Sequence, residues 1–159
     1  MRHIDEIIVH CTATRPNWWE GKSAEEKVRE VRDWHVSGNG WSDIGYHFVI
    51  ELDGAVKNGR PLHRSGAGVK GHNAHSIHVC YIGGMDKDKN AKDTRTDAQR
   101  KALDQVINEL KMDYPTATIH GHNEFAAKAC PSFDVQKEYG VPKPKAKATK
   151  AKAKSKSAE

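Results

Sequence analysis

The chain has 159 residues, 36% of them hydrophobic and 30% charged, which suits one domain with a buried core rather than several. Its formal charge of +5 is concentrated at one end: Lys143 to Glu159 holds seven lysines and one acid, a contribution of +6, so the remainder carries about −1. No run approaches the roughly 18 apolar residues of a membrane span, the opening Met-Arg-His-Ile-Asp-Glu lacks a secretory apolar core, and three cysteines are too few for a disulfide framework.

In chain order, Glu6–Cys11 (Glu-Ile-Ile-Val-His-Cys) is short, branched and apolar and predicts a buried strand. Trp18-Trp19 falls in a predicted loop and is a candidate for lining a cleft. Ser23-Ala-Glu-Glu26 is a capping-box pattern. The helix it opens carries Val28, Val31, Trp34 and His35 on one stripe, with Trp34 assigned to the core, and Gly38-Asn-Gly40 closes it. Tyr46–Leu52 predicts a strand, Asp53-Gly54 a hairpin turn and Ala55–Lys57 a shorter strand.

A glycine-rich loop covers Ser65–Asn73, and Ser76–Ile82 predicts another strand. Asp86–Asn90 is a plain acidic surface loop, because Ala91 stands where a calcium loop requires glycine. Thr96-x-x-Gln99 is a second capping box, starting a helix through about Met112 with Leu103, Val106, Ile107 and Leu110 inward. Pro115 stops it, Thr116–His120 returns as a last strand, and an irregular segment runs to Tyr139.

Strands separated by helices predict a single α/β domain over residues 1–141, with a mixed central sheet flanked by helices. Residues 142–159 form a Lys/Ala-rich tail without a large apolar side chain, which cannot repay the entropy of ordering. The expectation is a disordered tail able to contact an anionic polymer, whether a cell-wall polyanion or nucleic acid. The odd cysteine count and the missing signal segment predict synthesis in a reducing cytoplasm, and the expected state is a monomer.

Ten histidines is a high number for this length, and three positions stand out. His10 ends the first predicted strand, His120-Gly121-His122 ends the last, and Cys130-Pro131 follows eight residues later. A thiolate and imidazoles from separate elements suit zinc, and three protein ligands leave a fourth position for water at the strand ends. Spacing alone does not choose between His120 and His122, which share one strand face.

Five ordered segments resemble the type-2 N-acetylmuramoyl-L-alanine amidase family, which includes small phage lysozyme-type amidases and peptidoglycan recognition proteins. They are Ile7-Ile-Val-His10-Cys-Thr-Ala-Thr, Ile44-Gly-Tyr46-His-Phe, Asn73-x-x-Ser76-Ile-x-Val-Cys80, Gly121-His122-Asn-Glu124 and Lys128-Ala-Cys130-Pro-Ser-Phe-Asp. The resemblance runs from about Ile4 to Asp134. It implies one zinc ion held by His10, His122 and Cys130, with Tyr46 and Lys128 as catalytic residues and His47 and His120 as bystanders.

The implied activity is hydrolysis of the amide between N-acetylmuramic acid and L-alanine in peptidoglycan. Lys128 would stabilise the oxyanion, and Tyr46 would orient or deprotonate water or protonate the leaving nitrogen. Made in a host cytoplasm, such an enzyme would reach the wall after release, as an endolysin does. Two alternatives stand beside it: a module that grips peptidoglycan without cutting, which typically lacks the metal cysteine, and an amidase that also regulates an RNA polymerase. The chain departs from the resemblance at two places, since relatives often have histidine near Gly68 and glycine at His78. The expected consequence is altered substrate contacts.

Overall fold

The computed structural model describes residues 2–140; the tail predicted over 142–159 lies outside the described residues. Strands β1 (Glu6–Cys11), β2 (Phe48–Ile50), β3 (Val56–Asn58), β4 (Ser76–Tyr81) and β5 (Thr118–Gly121) form one sheet in the order β3-β2-β4-β1-β5. β1 runs parallel to β4 and to β5, and β2 parallel to β4; β3 is antiparallel to β2. The mixed α/β domain expected from the sequence is therefore the one observed.

Side-chain alternation along the strands divides the molecule into two layers. Ile7, Val9 and Cys11 of β1 and Ile77, Val79 and Tyr81 of β4 pack against the apolar positions of the long helix Asp97–Asp113: Leu103, Val106, Ile107 and Leu110. Leu103 is fully buried, which contributes about 1.5–3 kcal/mol for such a side chain. The alternate residues Ile8, His10, His78 and Cys80 face the other way. The parallel register sets His10 beside Cys80 and Ile8 beside His78, so two histidines come together on the face opposite the long helix.

Among the described residues four α-helices flank the sheet: α1 (Pro16–Trp19), α2 (Ala24–Asp33), α3 (Asp97–Asp113) and α4 (Val135–Tyr139). Both capping boxes form as expected, at Ser23–Glu26 and Thr96–Gln99. The buried Gln99 side chain also donates to the carbonyls of Ile50 (3.3 Å) and Ile82 (2.9 Å), tying α3 to the sheet. On the second face, Val31, Ile44, Val49 and Ile82 form a smaller cluster with Trp18, Trp19, Val28 and Tyr46 against it.

Three expectations are corrected. Trp34 is 42% exposed, not core. Helix α2 passes into a π-turn over Trp34–Gly38, and the wider turn rotates the stripe out of phase after Asp33. Trp34 leans instead on Trp18, ring centroids 5.2 Å apart. Trp18-Trp19 sits in a helix started by Pro16, not a loop, and the segment ahead of Tyr139 contains α4, capped by Asp134. The burial that α2 does provide includes a charge: Lys27 meets Glu51 at 2.5 Å with both side chains nearly inaccessible. Among the described residues no helix is long and apolar enough to cross a membrane.

Candidate metal centre and active site

His10 is the penultimate residue of β1 and 1% exposed. His122 opens the turn after β5, and Cys130 lies on the segment leading to α4. One donor atom from each falls within 4.8 Å of the other two. Cys130 Sγ stands 3.8 Å from His10 Nδ1, and the His10 and His122 rings are 4.9 Å apart. Tetrahedral zinc with typical Zn–S and Zn–N bonds separates such donors by about 3.5 Å, so the set fits that ion with little movement.

His120 is left out. Its Nδ1 bonds Glu124 at 2.8 Å and its Nε2 bonds Thr118 Oγ1 at 2.7 Å, so both nitrogens are engaged. The ambiguity left by the sequence is resolved by the strand ending at Gly121, which frees His122 from the alternation. Glu124 also accepts from the Gly121 N–H at 2.7 Å, and this small turn presents His122 to the site.

The Cys130 segment is pinned to the end of β4. Tyr81 donates its hydroxyl to the Pro131 carbonyl at 2.6 Å, and Ser132 donates to the Gly84 carbonyl at 2.9 Å. The Cys11 N–H points at Cys130 Sγ from 3.3 Å. Contact with the Cys11 thiol and burial push the Cys130 thiol up, so a thiolate there calls for a cation. Burial, then the neighbouring His78 and His122, holds His10 well below the usual histidine range. Burial and Lys128 lower His122. Neutral imidazoles and a cation-seeking thiol are the donors zinc takes.

Tyr46 precedes β2 and sits 5.2 Å, centroid to centroid, from His10. Tyr46 and His47 both lie on the side of His10 and His78, Tyr46 against the His10 ring and His47 stacked 5.8 Å from the His78 ring. Burial raises the Tyr46 phenol well above its ordinary range, so it stays protonated. His35, not singled out from the sequence as functional, holds this segment: its Nδ1 accepts from the Gly45 N–H at 2.9 Å and its ring meets Tyr46 edge-on at 5.2 Å. Arg60 was equally silent in the sequence. Its guanidinium bonds the carbonyls of Ile44 (2.8 Å) and Ser65 (2.7 Å), joining the Tyr46 segment to the glycine-rich loop.

Lys128 is exposed and lines an open cleft with His122, Trp41, Lys70 and Phe125. Trp41 is the tryptophan of this cleft wall, whereas Trp18 and Trp19 pack on the Val31 cluster. Asn73 and Ser76 build the loop: Asn73 Oδ1 accepts from Gly68 and Val69, and Ser76 is fully buried against Glu6 and the His72 carbonyl. His78 is fully buried beneath Gly68 and touches His10, not the cleft.

Residues 1–133 match the family model described as N-acetylmuramoyl-L-alanine amidase. The chain belongs to that family. It is 45% identical to the endolysin of Enterobacteria phage K11 over 136 residues, 86% of this chain and 85% of that protein. It is 44% identical to the endolysin of Escherichia phage T7 over 134 residues, 84% of this chain and 83% of that one. Among solved structures, bumblebee PGRP-SA superposes with a TM-score of 0.70 at 28% identity, covering 85% of this chain and 79% of that one. The amidase is thus a phage-endolysin-like member of a fold shared with recognition proteins.

Proposed function

We propose that this amidase cleaves the bond between N-acetylmuramic acid and L-alanine in peptidoglycan with one zinc ion held by His10, His122 and Cys130. The observation carrying the metal reading is the convergence of those three donors within 4.8 Å, from residues far apart in sequence. A zinc ion there supplies Lewis acidity and activates water near neutral pH.

The remaining work falls to two side chains. An amide carbonyl gains negative charge as it becomes tetrahedral, and Lys128, on the cleft wall beside His122, offers the cation that stabilises that oxygen. Tyr46 keeps its proton and therefore acts as a hydrogen-bond donor, orienting water or assisting the departing nitrogen. A purely binding role is disfavoured by Cys130, whose thiol is placed beside His10 where a non-catalytic module needs no ligand.

Digestion of purified peptidoglycan, with zinc present or chelated, tests the proposal. Mass spectrometry is expected to find intact glycan strands and free stem peptides that begin with an unblocked N-terminal L-alanine, and no such products after chelation or in Cys130→Ala. Cleaved glycan carrying its stem peptides, or turnover indifferent to chelation, would overturn it.

A further inference from the structure

We infer that His78, anchored by Asn73, is a positioning residue that fixes which nitrogen of His10 is offered to the metal. This rests on the reading of His10 as a ligand. Asn73 Oδ1 lies 3.0 Å from the Gly68 nitrogen and 3.1 Å from the Val69 nitrogen. Two N–H donors require an acceptor, so the amide oxygen, not its nitrogen, occupies that position.

The same oxygen is 2.9 Å from His78 Nε2, which must therefore carry the hydrogen. A neutral imidazole has one N–H, leaving His78 Nδ1 as an acceptor. His78 Nδ1 is 2.9 Å from His10 Nε2, so His10 donates there. The lone pair of His10 is then on Nδ1, the atom 3.8 Å from Cys130 Sγ. Every step is forced by the one before it, from loop amides to ligand atom. A metal-bound histidine commonly donates its other N–H to a carboxylate, carbonyl or water that sets its orientation; here an imidazole takes that part.

A second observation is steric. A Cβ on Gly68 would stand 2.6 Å from His78 Nδ1 and 3.0 Å from His10 Cε1. One on Gly66 would stand 2.6 Å from His78 Cδ2. The two glycines leave the seat that the His78 ring fills, and residue 68 can bear a side chain only if residue 78 gives up its imidazole. His78 is further braced by His47, whose Nδ1 accepts from the His78 N–H at 3.0 Å and whose ring lies parallel to it. The positions at Gly68 and His78 are thus sterically coupled: the missing side chain at 68 is what admits the ring at 78.

Zinc affinity of the full chain, measured by competition with a chromophoric chelator, tests this without reference to peptidoglycan. His78→Phe and His78→Gly are each expected to weaken zinc binding about 10–100-fold. The visible spectrum of the cobalt-substituted protein should shift with them, while the far-UV circular dichroism of the metal-free protein stays that of the parent. The exchange Gly68→His with His78→Gly should recover at least about tenfold over His78→Gly alone, because the ring re-enters the same seat. If His78→Phe fails to fold, His78→Gly and the exchange decide. Folded His78 variants binding zinc within about twofold of the parent, with an unchanged cobalt spectrum, overturn the inference. A parent chain that binds no zinc instead overturns the metal reading beneath it.

Discussion

Lys128 and Cys130 stand two residues apart, yet removing them should have separable effects. Cys130→Ala takes away a donor atom, so zinc and turnover are expected to go together. Lys128→Ala leaves the three donors in place, so metal content should hold while turnover falls about 10²–10³-fold, the usual loss for one oxyanion partner. Metal analysis beside single-substrate kinetics checks this, and full activity in Lys128→Ala would remove Lys128 from the mechanism. A second residue-scale effect concerns His47, which burial pushes down to about 4. Its unfolded-state value is near 6.5, so between those limits the unfolded chain binds more protons than the folded one. Stability from this group is complete above about pH 6.5 and is lost as pH falls through 4, to a total of about 3 kcal/mol. Urea midpoints of the metal-free chain between pH 4.5 and 7 should slope less steeply in His47→Asn than in the parent; parallel curves would contradict it. The residues proposed as ligands and catalytic groups are legible in the sequence because each sits in a local motif. The part proposed for His78 is not, although its position stood out: its partners at 10, 47, 66, 68 and 73 meet it only when strands and loop are assembled.

Helix α2 is joined to the residue that follows strand β2 by the buried pair Lys27–Glu51, and one carboxylate oxygen of Glu51 has no hydrogen-bond partner among the described residues. Removing the lysine leaves that carboxylate both buried and unpaired, so Lys27→Met is expected to cost about 3–5 kcal/mol. The double variant Lys27→Met with Glu51→Leu removes the stranded charge and should return to within about 1 kcal/mol of the parent, or exceed it. Chemical denaturation of the single and double variants measures this; a double variant weaker than Lys27→Met would show that the pair is a net source of stability. The same helix marks where elements stop being readable. Its start was legible because a capping box is a four-residue signal, as was the start of α3. Its interior was not: a lysine reads as solvent-facing until its glutamate, on another element, is in place. The π-turn at Trp34 left no mark in the composition, and α1 and α4 are too short for periodicity to reveal.

At the scale of the molecule, the parallel pairing of β1 with β5 brings His10 and His122 to the same edge of the sheet, where ligand sites of parallel sheets commonly form at the carboxyl ends of strands. Strand order was not legible, since β1 lies between β4 and β5, both distant in sequence. The charge distribution was. Residues 2–140 contain every donor and cleft group described above, while Lys143–Glu159 supplies +6 of a chain whose total is +5. Truncation after Val141 therefore reverses the sign of the net charge without removing a site residue. The truncated chain is expected to turn over a small soluble muropeptide within about twofold of the parent, because that substrate needs only the cleft. Its retention on an anionic polymer should be lost. The parent's retention should itself vanish as salt shortens the screening length from about 10 Å at 0.1 M to about 3 Å at 1 M. Equal retention of the two chains at low salt would place the polyanion contact on the domain, and a matching loss of muropeptide turnover would mean that the basic segment serves the active site itself.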